Sequence, residues 1–330
     1  MIEWIRSLGL PPWTGPTLGP RTTTALLFAG VFAVLIAATL FGHYLKRRVH
    51  GRRVMVVESY RARVRGWWIL VIGIGLGFLG GRQGVVLLFA FASFGALREF
   101  ITLSPTRRGD HWSLVASFFL VLPLHYLAIW KGWMAFAGLF IPVYAFLFLP
   151  IISALSDDHK RFMDRAANLQ WALMICVYCI SHVPALLSLR IAVYGGRQLL
   201  LIAFLVLVVQ SGDVAEKFFS DRFGRHRIAP EISAGKTWEG FALACAAVAT
   251  LGALLAWITP FSIIASAGVA VIATAMGLLG SLVMSAIKRD RGVRFWGHAI
   301  VGHGGLLDRA APVAFAAPIY YHLVRTVWAL

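Results

Sequence analysis

The sequence predicts an all-α fold, a polytopic transmembrane helical bundle of about ten spans. Three observations predict it. Hydrophobic residues make up 59% of the 330 residues and charged residues only 14%, whereas a soluble domain carries about 25% charged residues. The apolar residues gather into runs close to the ~20 residues that one membrane crossing needs. The basic residues fall between those runs, alternately dense and sparse, as the positive-inside rule requires.

The runs place spans at 24–45, 67–81, 83–103, 112–130, 133–153, 167–189, 198–212, 238–257, 260–284 and 306–327. The second and third meet at the tight turn Gly80-Gly81-Arg82-Gln83. The second and seventh are short, which suits helices that tilt little or line a cavity. The connection after the first span holds Lys46, Arg47, Arg48, Arg52, Arg53, Arg61, Arg63 and Arg65, and so belongs to the cytoplasm. Alternation then puts the connections with Arg107 and Arg108, with Lys160, Arg161 and Arg165, with Lys217 to Lys236 and with Lys288 to Arg294 on that same side. The opposite connections carry only Arg82, Lys131, Arg190 and Arg197, and Thr259-Pro260 carries none. The net charge of +17 therefore answers to membrane orientation and anionic headgroups. Nucleic acid is excluded as a partner, since no separate basic domain exists. No cleavable signal peptide is expected, because the N-terminus lacks the basic, apolar and small-residue order of one.

Several local patterns have a structural explanation. Gly75-Leu-Gly77-Phe-Leu-Gly80 fits a dinucleotide fingerprint but lies within a span and follows no strand. Gly73, Gly77 and Gly81 instead have the spacing of close helix packing. Cys176-Val-Tyr-Cys179 has no second ligand pair, so packing is expected there. Arg98 and Glu99, ionisable residues within the third span, are functional candidates by default, while their place near its cytoplasmic end suits snorkelling or a structural pair at least as well. His182 and Pro184 read as a kink.

Two polar segments, Ser211 to Gly240 and Ser285 to Arg309, are long for connectors, and long connections in compact proteins are usually functional. The second suits phosphate chemistry. Lys288, Arg289 and Arg294 can neutralise phosphate oxygens. Gly302, Gly304 and Gly305 let backbone N–H groups approach an anion, with His303 between them. The span that follows Gly305 offers its N-terminal dipole. Asp308, in that helix's first turn, is a hard oxygen ligand suited to Mg²⁺. In the first segment, Gly235-Lys236-Thr237 reads as a turn opening a helix, offering N–H groups, an ammonium and a hydroxyl to a nucleotide phosphate. It lacks the first glycine and the strand of a P-loop.

Together the segments resemble the phosphatidate cytidylyltransferases, or CDP-diacylglycerol synthases. The residues that carry the resemblance are Ser285-x-x-Lys288-Arg289, Gly297-His298, Gly302-His303-Gly304-Gly305-x-x-Asp308-Arg309, and upstream Asp213, Arg222-Phe223-Gly224-Arg225 and Pro230-x-Ile232-Ser233-x-x-Lys236-Thr237-Trp238-Glu239-Gly240. The resemblance covers about residues 165–330 of one integral membrane domain, while 1–160 contribute hydrophobic spans. It implies transfer of CMP from CTP to phosphatidate, giving CDP-diacylglycerol and pyrophosphate. Asp308, with Asp213 second, is then expected to hold Mg²⁺. Lys288, Arg289, Lys236 and Arg309 would hold phosphates. Ser233, Thr237, Ser285 and the Gly302–Gly305 backbone would cradle CTP. His303 would bond a phosphate or the leaving pyrophosphate. The lipid tails would lie between spans.

Two positions depart from the pattern. The family's Lys-Asp pair is Arg294-Phe295 here, and the acid two residues after Asp308-Arg309 is Ala311. Phe295 cannot bind a metal, so Asp290, Asp213 or His298 is expected to substitute. The departures keep open a related CTP-dependent enzyme acting on another lipid phosphate or lipid alcohol, or a non-catalytic membrane paralogue. The expected setting is a bacterial plasma membrane with the polar segments cytoplasmic, and a homodimer is admitted.

Overall fold

The computed structural model describes residues 19–48, 53–191, 194–297 and 304–329. His298, Gly302 and His303 lie outside the described residues. Ten helices account for the predicted spans: α1 (Pro20–Arg48), α2 (Arg53–Leu79), α3 (Gly81–Thr102), α4 (Arg108–Lys131), α5 (Met134–Ala154), α6 (Phe162–Ser188), α7 (Gln198–Phe223), α8 (Trp238–Leu254), α9 (Ile263–Asp290) and α10 (Leu306–Val327). Eight of them are long and apolar enough to cross a membrane. The exceptions are α8, whose 17 residues reach only about 25 Å at 1.5 Å per residue, and α10, which carries Asp308, Arg309 and Arg325. The chain is a polytopic helical membrane protein.

Two polar segments read as connectors begin as helix, continuing α7 and α9. The seventh span was expected to end at 212, yet α7 continues through Asp213 and Glu216 to Phe223. The ninth was expected to end at 284, yet α9 carries Ser285, Lys288, Arg289 and Asp290 on its final turns. A helix need not end where its apolar run ends, and basic residues in a last turn favour the helix dipole. The connection before α8 holds a small hairpin that an all-helical expectation omits. Strand β1 (Arg227–Ala229) pairs antiparallel with β2 (Ser233–Thr237), in register Arg227↔Thr237 and Ala229↔Ser233.

The glycines at the second turn divide by role. An added Cβ on Gly77 would meet Leu88 at 2.9 Å, and one on Gly84 would meet the Gly77 carbonyl at 2.5 Å. Here α2 and α3 approach closely, as small residues allow. Gly81 has φ +60°, so it turns the chain rather than packing a face. Gly73 has nothing within 4 Å of an added Cβ. Cys176 is a buried free thiol, as packing predicts.

Burial shows which helices are central. In α6 and α7, 67% and 61% of the membrane window is buried, against 17% in α1. Helix α7 packs on α8, α9 and α10, and α10 also contacts α3 and α6. The two apolar cores, one around α7, α9 and α10 and one around α3 to α6, both draw on α10. Whatever the start of α10 holds is thus fixed by both halves of the chain.

One end of the bundle is tied by charge. Arg165, only 4% exposed at its side chain, pairs with Asp158 at 2.8 Å and Asp110 at 3.5 Å, and Arg107 reaches Asp158 at 2.9 Å. The hydrogen bond from Arg165 chiefly, with Arg107, holds the Asp158 carboxyl at about 2 instead of 3.8. A depressed carboxyl stabilises the fold above its ordinary value and loses that contribution as pH falls through the folded value. Melting of the wild type in detergent should therefore weaken between pH 4 and 2 more than melting of Asp158→Asn, and equal acid sensitivity of the two would contradict the assignment.

Candidate active site

The last turns of α9, the start of α10, the hairpin and the final third of α7 meet at one end of the bundle. Lys288 on α9 donates to Asp308 Oδ1 on α10 at 2.8 Å, with side chains 20% and 11% exposed. Asp308 Oδ2 accepts the backbone N–H groups of Trp296 and Gly305, both at 3.0 Å. One carboxylate thus fixes the connection between α9 and α10 at both ends and holds a cation beside it. Trp296 is locked further by stacking on Phe100, with ring centroids 4.9 Å apart.

Beside this pair lies a second polar group. Lys236, at the end of β2, donates to the Leu278 carbonyl at 3.2 Å and to the Ser281 hydroxyl. Its ammonium is drawn below its ordinary value by burial, and Lys288 adds to that, while Glu216 and Asp213 oppose it. Two lysines and two carboxylates therefore act on one another across α7, β2 and α9. A hydrogen-bond chain runs into Glu216. The Gly240 N–H donates to Thr237 Oγ1 at 3.1 Å, Thr237 donates to Ser220 Oγ at 3.0 Å, and Ser220 donates to Glu216 Oε1 at 2.9 Å.

The expected site residues divide accordingly. Asp308, Lys288 and Lys236 are brought into this cluster, with Asp213 at its edge. Thr237 is buried and serves as the N-cap of α8, so its hydroxyl is committed to the fold rather than offered to a nucleotide. Gly235-Lys236-Thr237 is strand, not turn, and the cap follows it. Ser285 donates to the Ser281 carbonyl at 2.8 Å, and Arg289 donates to the Ile232 carbonyl at 3.3 Å, tying α9 to the hairpin. Ser233 begins β2 and is half-buried. Asp290 is exposed, and its ion pair is with Arg291 at 3.6 Å. Gly304 (φ +88°) needs glycine on two counts, since an added Cβ would also lie 2.5 Å from Asp308 Oδ2. Phe295 packs against the same position, 2.8 Å from that Cβ.

Of the alternatives open for Glu99, snorkelling gives way to a place in this cluster. Its two oxygens accept the N–H groups of Leu306 and Leu307, each at 2.8 Å. An added Cβ on Gly297 or Gly305 would meet the same carboxylate at 2.8 and 2.3 Å. The first turn of α10, expected to present N–H groups to substrate, is closed by Glu99 and by Asp308, which takes the Gly305 N–H. The sequence held one signal: an acid within a span is a functional candidate by default.

An apolar groove of about 270 Å³ runs between α2, α3, α6, α7 and α10, and Leu306 and Arg309 line it on either side of Asp308 in the chain. Trp67, Leu70, Phe89 and Val313 line it, and Gln210 and Arg309 supply polar groups. Gln210 donates to the Arg309 carbonyl at 2.9 Å, which holds that turn of α10. Gly73 faces this groove, which explains the open space beside it.

A model of the cytidylyltransferase family matches residues 61–327. The chain belongs to the cytidylyltransferase family. Over 304 residues it is 34% identical to uncharacterized protein YnbB of Escherichia coli (strain K12), covering 90% of this chain and 97% of that one. It is 35% identical over 170 residues to phosphatidate cytidylyltransferase of Staphylococcus aureus (strain COL), covering 51% of this chain and 62% of that one. It is also 36% identical over 124 residues to phosphatidate cytidylyltransferase of Mycobacterium leprae, covering 36% and 39%. Membership makes a membrane-embedded nucleotidyltransferase the frame for the cluster around Asp308.

Proposed function

We propose that this cytidylyltransferase transfers CMP from CTP to phosphatidate, releasing pyrophosphate and forming CDP-diacylglycerol. The observation that carries this reading is the junction at Arg309: an apolar groove among spans is lined by Arg309, the residue after Asp308, whose carboxylate pairs with the Lys288 ammonium. Acyl chains would enter the groove while the phosphate meets Arg309 and the lysines. A phosphatidate oxygen attacks the α-phosphorus of CTP, the bond between that phosphorus and the bridging oxygen to the β-phosphorus breaks, and pyrophosphate leaves. The nucleophile is already an anion, so no strong base is required. The obstacle is repulsion between two polyanions, which fixed cations relieve without reorganisation.

Magnesium fits the donor set at one point. Asp308 Oδ1 already holds a cation, the Lys288 ammonium, and among the described residues it accepts no other bond. Mg²⁺ usually takes one or two carboxylates and completes its shell with substrate phosphates and water. Asp308 would hold it with the nucleotide, and Asp213 is the second carboxylate of the same cluster. The ion would neutralise phosphate charge. No group of three or more His, Cys, Asp or Glu side chains gathers among the described residues. The basic bias of the connections at this end supports a cytoplasmic site, where CTP is present.

The test is pyrophosphate release by the purified protein in detergent with CTP and Mg²⁺, with and without phosphatidate. Turnover that depends on phosphatidate is expected. Turnover supported by another lipid phosphate but not by phosphatidate would replace the acceptor, the reading that Phe295 beside Gly304 favours. Retained fold with no CTP binding would remove the enzymatic reading.

A further inference from the structure

The last turns of α4, α6 and α10 and the start of α5 line a second, smaller cleft of about 50 Å³. It lies at the other end of α10 from Asp308, about 25 Å along the helix at 1.5 Å per residue. His125, Tyr178, Ser181, His182, His322 and Arg325 line it, and no carboxylate does. Trp130 and Trp133 are exposed at the same end of α4 and the start of α5, as aromatic side chains are at a membrane interface.

Hydrogen-bond directions fix the histidine tautomers. The Ser181 hydroxyl donates its one proton to the Tyr178 carbonyl at 2.7 Å. His125 Nε2, 2.8 Å from that hydroxyl, must then be the donor of their contact. A neutral His125 therefore carries its lone pair on Nδ1. That atom is buried on a ring only 1% exposed, and it has no hydrogen-bond partner among the described residues. His182 Nδ1 faces the same carbonyl, which can only accept, at 2.8 Å, so its bare nitrogen is Nε2. The His182 ring is 5.6 Å from His322, and His322 is within electrostatic reach of Arg325.

A buried acceptor left unpaired, as His125 Nδ1 is, is unfavourable and calls for a donor. A guanidinium in the same cleft calls for an anion. A metal ion satisfies neither condition, since Arg325 repels it and no three ligating side chains gather among the described residues. We propose that this cleft binds a hydroxylated phosphate ester, the headgroup of a polyol phospholipid in the leaflet opposite the Lys288–Asp308 cluster. The hydroxyls donate to His125 Nδ1 and His182 Nε2, and the phosphate meets Arg325. The site is independent of the transferase reading, because its residues share none of the Asp308 cluster.

Native mass spectrometry of the full chain tests this with two lipids of equal charge and equal acyl chains. Dioleoylphosphatidylglycerol carries hydroxyls, and dioleoylphosphatidylethanol does not. Wild type should retain the first about fivefold better, the effect of one or two hydrogen bonds. His182→Phe should erase that preference, and Arg325→Gln should weaken both lipids. His322→Gln, at a partly exposed ring, serves if the buried His182 variant does not fold. Equal retention of the two lipids by wild type, or a preference unchanged in the variants, overturns the proposal. Free glycerol 1-phosphate is the third arm. Failure to displace the lipid supports a membrane source, and displacement at equal concentration overturns it in favour of a soluble ester.

Discussion

Asp308→Ala should abolish CTP turnover and loosen the start of α10 at once, whereas Asp308→Asn should separate the two effects. Asp308 holds the Gly305 and Trp296 N–H groups through Oδ2 and the Lys288 ammonium through Oδ1. Alanine removes all three bonds. The loss of an N-terminal cap alone costs about 0.5–2 kcal/mol, and Lys288 is left half-buried without its counter-charge. Asparagine keeps an oxygen for the backbone N–H groups but no charge for Lys288, a metal or a phosphate-bound cation. Most of the melting temperature should return in Asp308→Asn, while turnover stays down by at least about 100-fold, the usual effect of removing one electrostatic element of a site. Pyrophosphate release and thermal melting of the same two samples measure this. Turnover restored together with stability would make Asp308 a helix cap and nothing more, and the metal and phosphate roles would move elsewhere.

What the sequence made legible follows from the range of each interaction. The spans were legible because lipid selects for apolar runs of fixed length, and each of the ten predicted segments lies largely in one of the ten helices. The ends of α7 and α9 were not, because the polar turns at Asp213 and Lys288 satisfy their backbone within the helix whatever solvent surrounds them. The hairpin was hidden by its size: strands of three and five residues around Pro230 leave no periodic signal. Lys288 and Asp308 were legible as chemistry but not as a pair, since spacing along the chain does not give the approach of α9 to α10. Thr237 misled, because a hydroxyl before a helix serves equally well as a cap and as a phosphate donor. The groove at Arg309 needs five helices to enclose it, and no local pattern encodes that.

Glu99 is the residue whose role was least visible, and its substitution should have the second-largest effect. Its partners lie 207 and 208 residues away and are backbone N–H groups, which leave no side-chain signature. Helix α10 begins with orphan donors like any helix. Asp308 takes the one at Gly305, and Glu99 takes those at Leu306 and Leu307. Glu99→Ala leaves two donors without an acceptor at a cost of about 2–6 kcal/mol. Glu99→Gln is no repair, because its amide places donors against an N–H group. Both should lower the melting temperature and reduce kcat at least about tenfold, with a smaller change in KM for CTP, since Glu99 acts on the placement of Asp308 and not on the nucleotide. Gly305→Ala tests the contact from the other side, because its Cβ would lie 2.3 Å from Glu99 Oε2. If the clash is with that carboxylate, Gly305→Ala should be markedly less harmful in a Glu99→Ala background than in wild type. A double-mutant cycle on melting temperature and kcat reads this coupling directly. Strictly additive effects would mean that Glu99 does not hold the start of α10, and that the N-terminal spans reach the site by packing alone.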